Sequence, residues 1–218
     1  MSNDYHDYVF RNGKLIGEFE EMYKNSTVIP WHQDQQDNWI DVRLTKEIFN
    51  DIGSFDEIHD FGCGTGHYLG LMAKHLGSMN GNFFGYDISN TACKIAKKNF
   101  PSYHFSKLDL TLNAVKKSSL KLDRLFMLRG TLWYVTPKID FVVRNISNSM
   151  QGSDKLLIVQ NFPPLSTNFV GKEVLPNYCA IIEHFSEYFV VERYVWYESQ
   201  SNAANDNWFI GLFSIKEN

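Results

Sequence analysis

The chain has 218 residues, of which 44% are hydrophobic and 15% aromatic. This length and composition favour a single domain with a sizeable hydrophobic core, and they exclude a disordered chain. The net charge of −4 comes from 21 basic and 25 acidic residues. Because the basic footprint of nucleic-acid-binding proteins is absent, we expect no nucleic-acid partner.

The cysteines and the hydropathy of the chain indicate the cellular compartment in which we expect the protein. Cys63, Cys93 and Cys179 form no close pair, and their odd number argues against a disulfide framework and for a reducing compartment. The N-terminus shows no basic region followed by an apolar stretch, so no signal peptide is expected. No apolar run approaches the roughly 18 residues of a membrane helix. We therefore expect a cytoplasmic protein without a membrane partner, as a monomer or a homodimer.

The first 54 residues are predicted to be mostly helical. Apolar residues at helical spacing cover 15–25 and 37–53, with a short loop that contains Pro30, Trp31 and His32 between them. We interpret residues 1–54 as a helical cap on the domain formed by residues 55–218, and not as an independent domain.

From residue 55 onwards, short apolar runs alternate with amphipathic segments, which is typical of an α/β sheet covered by helices. Strands are predicted at 57–61, 82–88, 103–109, 122–129 and 155–162. Helices are predicted at 66–77 with Gly77 as the stop signal, from Ser89 or Asn90 to just before Pro101, and from Pro137 to about Met150. The β-rich runs 189–199 and 208–216 flank a polar turn and are predicted to form an antiparallel hairpin.

A glycine-rich loop, Asp-Phe-Gly-Cys-Gly-Thr-Gly at 60–66, follows the first of these strands. Its third glycine comes one residue too early for the dinucleotide-binding G-x-G-x-x-G pattern, and no Gly-Lys-Ser/Thr follows to make a P-loop. Asp60 at its head would repel a pyrophosphate but suits a ligand with a positively charged amino group. The loop therefore predicts a ligand that is not a dinucleotide.

On this loop the chain resembles the class I S-adenosylmethionine-dependent methyltransferases of the small-molecule type, whose hallmark is an acid-led G-x-G-x-G. The resemblance covers about residues 55–160, and the final hairpin matches the family's last two strands. It implies an α/β fold: a three-layer αβα sandwich with a mostly parallel seven-stranded sheet, an antiparallel last strand and an N-terminal helical cap. It also implies S-adenosylmethionine as cofactor, S-adenosylhomocysteine as product, and no metal.

The resemblance also assigns cofactor-binding residues. Asp87 matches the acid that accepts both ribose hydroxyls, and Asp109 matches the position beside the adenine amino group. The full expected set is Trp31, Asp60, Gly62, Cys63, Gly64, Gly66, Asp87, Ile88, Asp109, Leu110 and Arg129. Simpler roles stay open: an ordinary turn for the glycines, a helix cap for Asp87, a turn residue for Asp109 and a packing residue for Cys63.

The acceptor side is less clear from the residues. The Asn-Pro-Pro-Tyr signature is absent after the strand at 122–129, which argues against methylation of DNA bases or glutamine. Arg129 is expected to contact the cofactor through its backbone, to bind an anionic substrate, or to be an exposed surface residue. Trp133 is either a wall of the acceptor pocket or part of the core. By resemblance, a lid that contains Tyr23, Trp31, His32 and Gln33 closes over the cofactor.

Two residues are predicted as catalytic, His32 as the first-choice base for a hydroxyl acceptor and Tyr134 as a reserve. The predicted substrate-binding residues are Tyr23, Gln33, Trp133 and His184, and His184 is also a reserve base. The other histidines of the sheet region show no ligand set with carboxylates, so no metal site is expected.

The resulting hypothesis is an enzyme that transfers a methyl group from S-adenosylmethionine to an O or N atom of a small polar metabolite, such as a sugar or sugar nucleotide. Two alternatives remain open, a protein side-chain methyltransferase and a non-catalytic S-adenosylmethionine-binding partner protein. A nicotinamide-dependent oxidoreductase is disfavoured by the glycine spacing.

Overall fold

The computed structural model describes residues 4–50, 52–76, 82–164, 167–199 and 207–216. The predicted helix stop at Gly77 and most of the predicted hairpin turn at 200–207 lie outside these residues. Within them, no helix has the length and apolar character needed to cross a membrane.

The N-terminal part is mixed rather than mostly helical. In chain order it contains a 3-10 helix (Tyr5–Tyr8), β1 (Phe10–Arg11), β2 (Lys14–Leu15), α1 (Phe19–Asn25), a second 3-10 helix (Pro30–Gln35) and α2 (Ile40–Ile48). The helix predicted at 15–25 starts only at Phe19, because Asn12 and Gly13 turn the chain with φ of +51° and +71° and pair β1 with β2. An Asn-Gly pair is a common hairpin signal, which the helical pattern masked.

The central sheet has seven strands. The remaining elements are β3 (Glu57–Phe61), α3 (His67–Leu76), β4 (Asn82–Asp87), α4 (Asn90–Asn99), β5 (His104–Lys107), β6 (Arg124–Arg129), α5 (Leu132–Val135), α6 (Ile139–Ser149), β7 (Lys155–Phe162), α7 (Tyr178–Phe185), β8 (Phe189–Tyr197) and β9 (Asn207–Ile215). The strand order is β5-β4-β3-β6-β7-β9-β8, in which only β9 runs antiparallel to its neighbours. This confirms the predicted α/β fold with a mostly parallel sheet and an antiparallel last strand.

Alternate side chains of the strands build two cores. Phe61 and Phe126 belong to the core shared with α6 and α7, whereas Ile58, Leu125 and Met127 belong to the core shared with α2 and α3. Both sheet faces are therefore covered, which explains the continuous apolar runs of β6 and β7. Because α2 packs directly on the sheet, the cap over the site is confined to residues 4–36, which we call the N-terminal segment.

Two connections differ from the predicted ones. The chain after β6 forms the short α5 and a 3-10 turn (Thr136–Lys138) before α6, so Pro137 lies in that turn. The segment between β7 and β8 contains α7, for which the sequence analysis predicted no helix.

The adjacent strands β3 and β6 lie in the middle of the sheet. From β3 the chain proceeds through α3 to β4 on one side, and from β6 it proceeds to β7 on the other side. At such a switch point the connections diverge and leave a crevice at the carboxyl ends of the strands, where ligands of open α/β sheets bind.

Candidate active site

The glycine loop joins β3 to α3 directly at this crevice. The amides of Gly62 and Cys63 both donate to the carbonyl oxygen of Tyr86, at 2.8 and 2.9 Å, and hold the loop against β4. Gly64 has a φ of +53°, and a Cβ there would lie 2.7 Å from the Tyr23 hydroxyl and closer still to the Gln33 amide group. Glycine is therefore required at position 64 by both conformation and space.

Asp60 is a buried acid at the end of β3, with 2% of its surface exposed. Burial raises its pKa to about 8; the nearby charge of Asp87 adds to the rise and that of Arg129 opposes it. No described residue donates a hydrogen bond to its carboxylate. Asp60 lines a small cavity of about 30 Å³ together with Arg129, which is room for one water-sized group.

The Arg129 side chain is fixed from the opposite side of this small cavity. Its Nε donates to Asp41 Oδ2 at 2.7 Å and its Nη1 to Gln36 Oε1 at 2.5 Å. Its guanidinium lies 4.6 Å from the Tyr68 ring. Among the described residues, the buried Nη2 has no hydrogen-bond partner. Arg129 is thus a half-buried, ion-paired residue, not an exposed surface arginine, and it keeps one donor free.

Asp87 ends β4 with 7% of its surface exposed. Its Oδ2 accepts from the Gly64 amide at 2.9 Å and its Oδ1 from the Ser89 amide at 2.8 Å. Burial raises the pKa of Asp87 to about 6, although these hydrogen bonds oppose the rise. Each carboxylate oxygen retains acceptor capacity, and Asp87 lines a large cavity of about 1230 Å³.

The large cavity continues from Asp87 along the ends of the strands. Ile88 lines it and is 42% exposed, although it is hydrophobic. Asp109 and Leu110 line it as well, and Asp109 Oδ1 accepts from the amide and hydroxyl of Thr111 at 2.9 and 2.6 Å. One carboxylate oxygen of Asp109 therefore stabilises a local turn by accepting hydrogen bonds from Thr111.

Aromatic side chains of the N-terminal segment line the large cavity. The Trp31 ring lies 5.6 Å from those of Tyr5 and Tyr134 and 6.5 Å from that of Tyr23. Trp31 and His32 have φ of +54° and +49°, a conformation that is strained for side chains other than glycine. This backbone turn directs Trp31 into the cluster of rings.

Gln33 connects the N-terminal segment to the glycine loop. Its Oε1 accepts from the amide of Thr65 at 2.8 Å and from the hydroxyl of Thr65 at 2.6 Å. Its Nε2 is 3.4 Å from the Tyr23 hydroxyl. Four predicted lid residues, Tyr23, Trp31, His32 and Gln33, thus meet beside the loop, and all four line the large cavity.

Other predicted site residues differ in placement. Tyr134 on α5 lines the large cavity, and burial raises its pKa well above the usual range. Trp133 lines it while donating from Nε1 to the carbonyl oxygen of Asn161 at 3.0 Å. Cys63 is buried behind the loop, where burial raises its pKa, and Gly66 packs against phenylalanine rings.

The structure does not bring His184 to the cavity. It lies on α7, where its Nε2 is 3.3 Å from the carbonyl oxygen of Val174 and its Nδ1 is 3.7 Å from Asp140 on α6. We therefore do not retain His184 as a substrate-binding residue or base. The physical reason is that α7 packs on the sheet face opposite to α2 and α3, away from the N-terminal segment.

Two groups of this region were not predicted. His6 lines the large cavity, and its Nδ1 is 2.7 Å from Asp4 Oδ1. Glu20 on α1 accepts hydrogen bonds from Ser89 and Thr91 at the start of α4. Nothing in the sequence pattern marks either pair, apart from the close spacing of Asp4 and His6.

A metal site is not evident in the part of the chain that the structure describes. No group of three or more His, Cys, Asp or Glu side chains there is arranged to hold an ion.

Comparison with known proteins agrees with this geometry. A family model described as Methyltransferase domain matches residues 58–151, which include β3 to β6 and the glycine loop. Residues 58–151 thus match the methyltransferase domain family, and the fold of the chain is that of S-adenosylmethionine-dependent methyltransferases. No curated protein sequence matches this chain significantly.

Solved structures share the fold of this chain at low sequence identity. The N-methyltransferase NodS from Bradyrhizobium japonicum WM9, in complex with S-adenosyl-L-homocysteine, has a TM-score of 0.65 at 13% identity, covering 91% of this chain and 98% of its own. A SAM-dependent methyltransferase from Aquifex aeolicus has a TM-score of 0.60 at 13% identity, covering 83% and 92%. A TehB-like SAM-dependent methyltransferase from Corynebacterium glutamicum has a TM-score of 0.55 at 17% identity, covering 82% and 89%.

Proposed function

We propose that this protein is an S-adenosylmethionine-dependent methyltransferase that transfers a methyl group to an O or N atom of a small metabolite bound in the large cavity. The observation that carries the proposal is the cavity itself, which holds about 1230 Å³ under the aromatic N-terminal segment. Pockets for one drug-sized ligand have about 300–1,000 Å³, so this cavity has room for a small acceptor beside the cofactor. A sugar or sugar nucleotide falls within this class.

Gly62 and Arg129 line both cavities, so the amino-acid end of a cofactor in the large cavity would lie beside the charged groups of the small one. Asp60 is a buried carboxylate without a hydrogen-bond donor among the described residues, and it suits an ammonium group. The free Nη2 of Arg129 suits a carboxylate. We therefore assign the methionine end of the cofactor to these two residues, with Gly62, Cys63, Gly64 and Gly66 shaping the loop beside it.

The other end of the site fits the adenosine part. Asp87 keeps acceptor capacity on both oxygens, which suits a vicinal diol. Ile88 and Leu110 present apolar surface to the cavity for a purine ring, and the second oxygen of Asp109 is available for its amino group. Trp31 is assigned to the cover of this cofactor site.

S-adenosylmethionine supplies an electrophilic methyl group on a sulfonium, and the residues of the chain align the acceptor and exclude water. For a hydroxyl acceptor, His32 is the proposed proton acceptor, whereas Tyr134, which burial keeps protonated by raising its pKa, is proposed to donate a hydrogen bond to the acceptor oxygen. His6 is a second proposed proton acceptor, because its Nδ1 is 2.7 Å from Asp4 Oδ1. Tyr23, Gln33 and Trp133 are proposed to contact the acceptor.

Binding of the cofactor is the first test. Isothermal titration with S-adenosylmethionine and S-adenosylhomocysteine should show binding to the wild type, weakened by about 1–3 kcal/mol in Asp87→Asn because a charge-assisted hydrogen bond is lost. Asp37→Asn removes an exposed carboxylate of the same type outside both cavities and should bind normally. A folded protein that binds neither compound would contradict the proposal.

Turnover is the second test. Incubation with methyl-labelled S-adenosylmethionine and a cellular metabolite extract should label a small molecule. Label that enters only the protein fraction of a whole lysate would instead support a protein side-chain acceptor. Tight cofactor binding without any transferred label would support a non-catalytic binding protein. The enclosing position of Trp31 favours the small acceptor.

A further inference from the structure

Charge is unevenly distributed along the wall of the large cavity. Among the described residues, its carboxylates are Asp87 and Asp109, and both belong to the end assigned to the adenosine part. The wall outside that end contains Arg43 on α2 and Lys138 after α5, but no acid. The part of the cavity left for the acceptor is therefore cationic.

Arg43 and Lys138 are available to a ligand. Neither side chain makes an ion pair or hydrogen bond with any described residue, and both are exposed. Arg129, the third cation of the wall, differs because Asp41 neutralises it at 2.7 Å. Two uncompensated positive charges thus face the cavity.

Aromatic side chains line the large cavity together with these two cations. Trp39 precedes Arg43 by one helical turn, is 39% exposed, and lies 6.2 Å from the Trp208 ring. Trp133 precedes Lys138 and lies 5.1 Å from the Phe169 ring. All four rings line the large cavity. Such surfaces bind flat apolar groups, for which aromatic contacts contribute beyond the buried area.

We propose that the methyl acceptor is a small molecule with a flat apolar or aromatic body and an anionic group, a carboxylate or a phosphate, that Lys138 or Arg43 binds. This rests on the proposed function and narrows its substrate. A cationic amine would meet no carboxylate on the acceptor side, and the sulfonium of the bound cofactor would repel it. An anion instead gains a charge-assisted hydrogen bond from either side chain.

The test measures binding of matched compounds to the protein saturated with S-adenosylhomocysteine, by chemical-shift titration. The probes are indole-3-acetate, its neutral amide, the amine tryptamine, and phenyl phosphate against phenol. The anionic members should bind about tenfold tighter than their neutral or cationic counterparts, since one charge-assisted contact is worth roughly this factor. Added salt should reduce the difference.

Variants test whether the preference for anionic probes depends on Lys138 and Arg43. Lys138→Gln and Arg43→Gln together should abolish the preference for the anions, whereas Lys121→Gln, which alters an exposed lysine outside the cavity, should preserve it. Equal binding of the neutral or cationic probes, no binding of any probe, or a preference that survives the double variant would overturn the proposal. Failure of S-adenosylhomocysteine to bind would be a separate result, directed against the proposed function.

Discussion

The carboxylate of Glu20 on α1 accepts a hydrogen bond of 2.7 Å from the hydroxyl of Ser89, the residue that caps α4. The same carboxylate accepts from the amide and the hydroxyl of Thr91, at 3.1 and 2.8 Å. The N-terminal segment is thereby attached to the start of α4, two residues after Asp87.

Removal of this attachment should destabilise the protein in a pH-dependent way. The hydrogen bonds from Ser89 and Thr91 lower the pKa of Glu20 from 4.5 to about 2, so its contribution is present above pH 4.5 and lost as the pH falls towards 2. Because the side chain is 37% exposed, we expect Glu20→Ala to cost only about 1 kcal/mol at pH 7.

The control for this experiment is Glu21→Ala on the same helix, since Glu21 pairs only with exposed groups of its own helix. Urea denaturation at pH 7 and pH 3 should show the Glu20 effect at the higher pH and a smaller one at the lower pH. Equal losses for the two variants would show that the attachment to α4 contributes nothing.

Gln33 should hold the N-terminal segment over the cofactor. Gln33→Ala removes the acceptor of both the amide and the hydroxyl of Thr65, so we expect S-adenosylhomocysteine to bind more weakly by about 1 kcal/mol. Gln35→Ala, in the same 3-10 helix but exposed, should bind as the wild type does. Limited proteolysis should cleave the N-terminal segment faster in Gln33→Ala; identical cleavage in both variants would count against this role.

Gly64 and Gly152 form a matched pair for a steric test. Their φ values are +53° and +52°, so alanine at either position pays a similar conformational cost of about 1–2 kcal/mol. Space around Gly152 is open, whereas a Cβ at Gly64 would meet Gln33 and Tyr23. Gly64→Ala should therefore lose at least about tenfold in affinity for S-adenosylhomocysteine by titration calorimetry, through overpacking, while Gly152→Ala retains it. Equal affinities would exclude the steric argument.

Asp60 should destabilise the folded protein at high pH, although it supports binding of S-adenosylmethionine. Its pKa rises from 3.8 in the unfolded chain to about 8 in the folded protein, so the folded state is progressively destabilised as the pH rises from 4 to 8. Asp60→Asn should therefore unfold at a higher temperature at pH 8, with a gain of about 1–3 kcal/mol after the loss of its attraction to Arg129.

The same variant should bind S-adenosylmethionine more weakly, because a neutral amide cannot pair with the ammonium group. Thermal unfolding across pH 4–8 and titration calorimetry at pH 8 measure the two effects. A variant that is less stable at pH 8, or one with unchanged affinity, would contradict the assignment of Asp60.

The strands from β3 to β9 and the loop at Gly62, Gly64 and Gly66 could be predicted because their signals are local. Apolar runs mark buried strands, and glycine spacing reflects which backbone angles and ligands a turn permits. The start of α1 was missed because an Asn-Gly turn at Asn12 and Gly13 competes with a helical pattern that continues through it.

The side-chain environment of the site was decided by the tertiary structure. Arg129 pairs with Asp41 across 88 residues, and Glu20 reaches Ser89 across 69. Nothing in the sequence around His184 distinguishes it from His32. Only the structure shows that His184 lies on α7, outside the large cavity. By itself, the sequence determined where the strands lie along the chain and where the glycine-rich loop follows β3, since these follow from local backbone preferences. Only the packing of distant elements decided which charges are paired, buried or left facing the cavity.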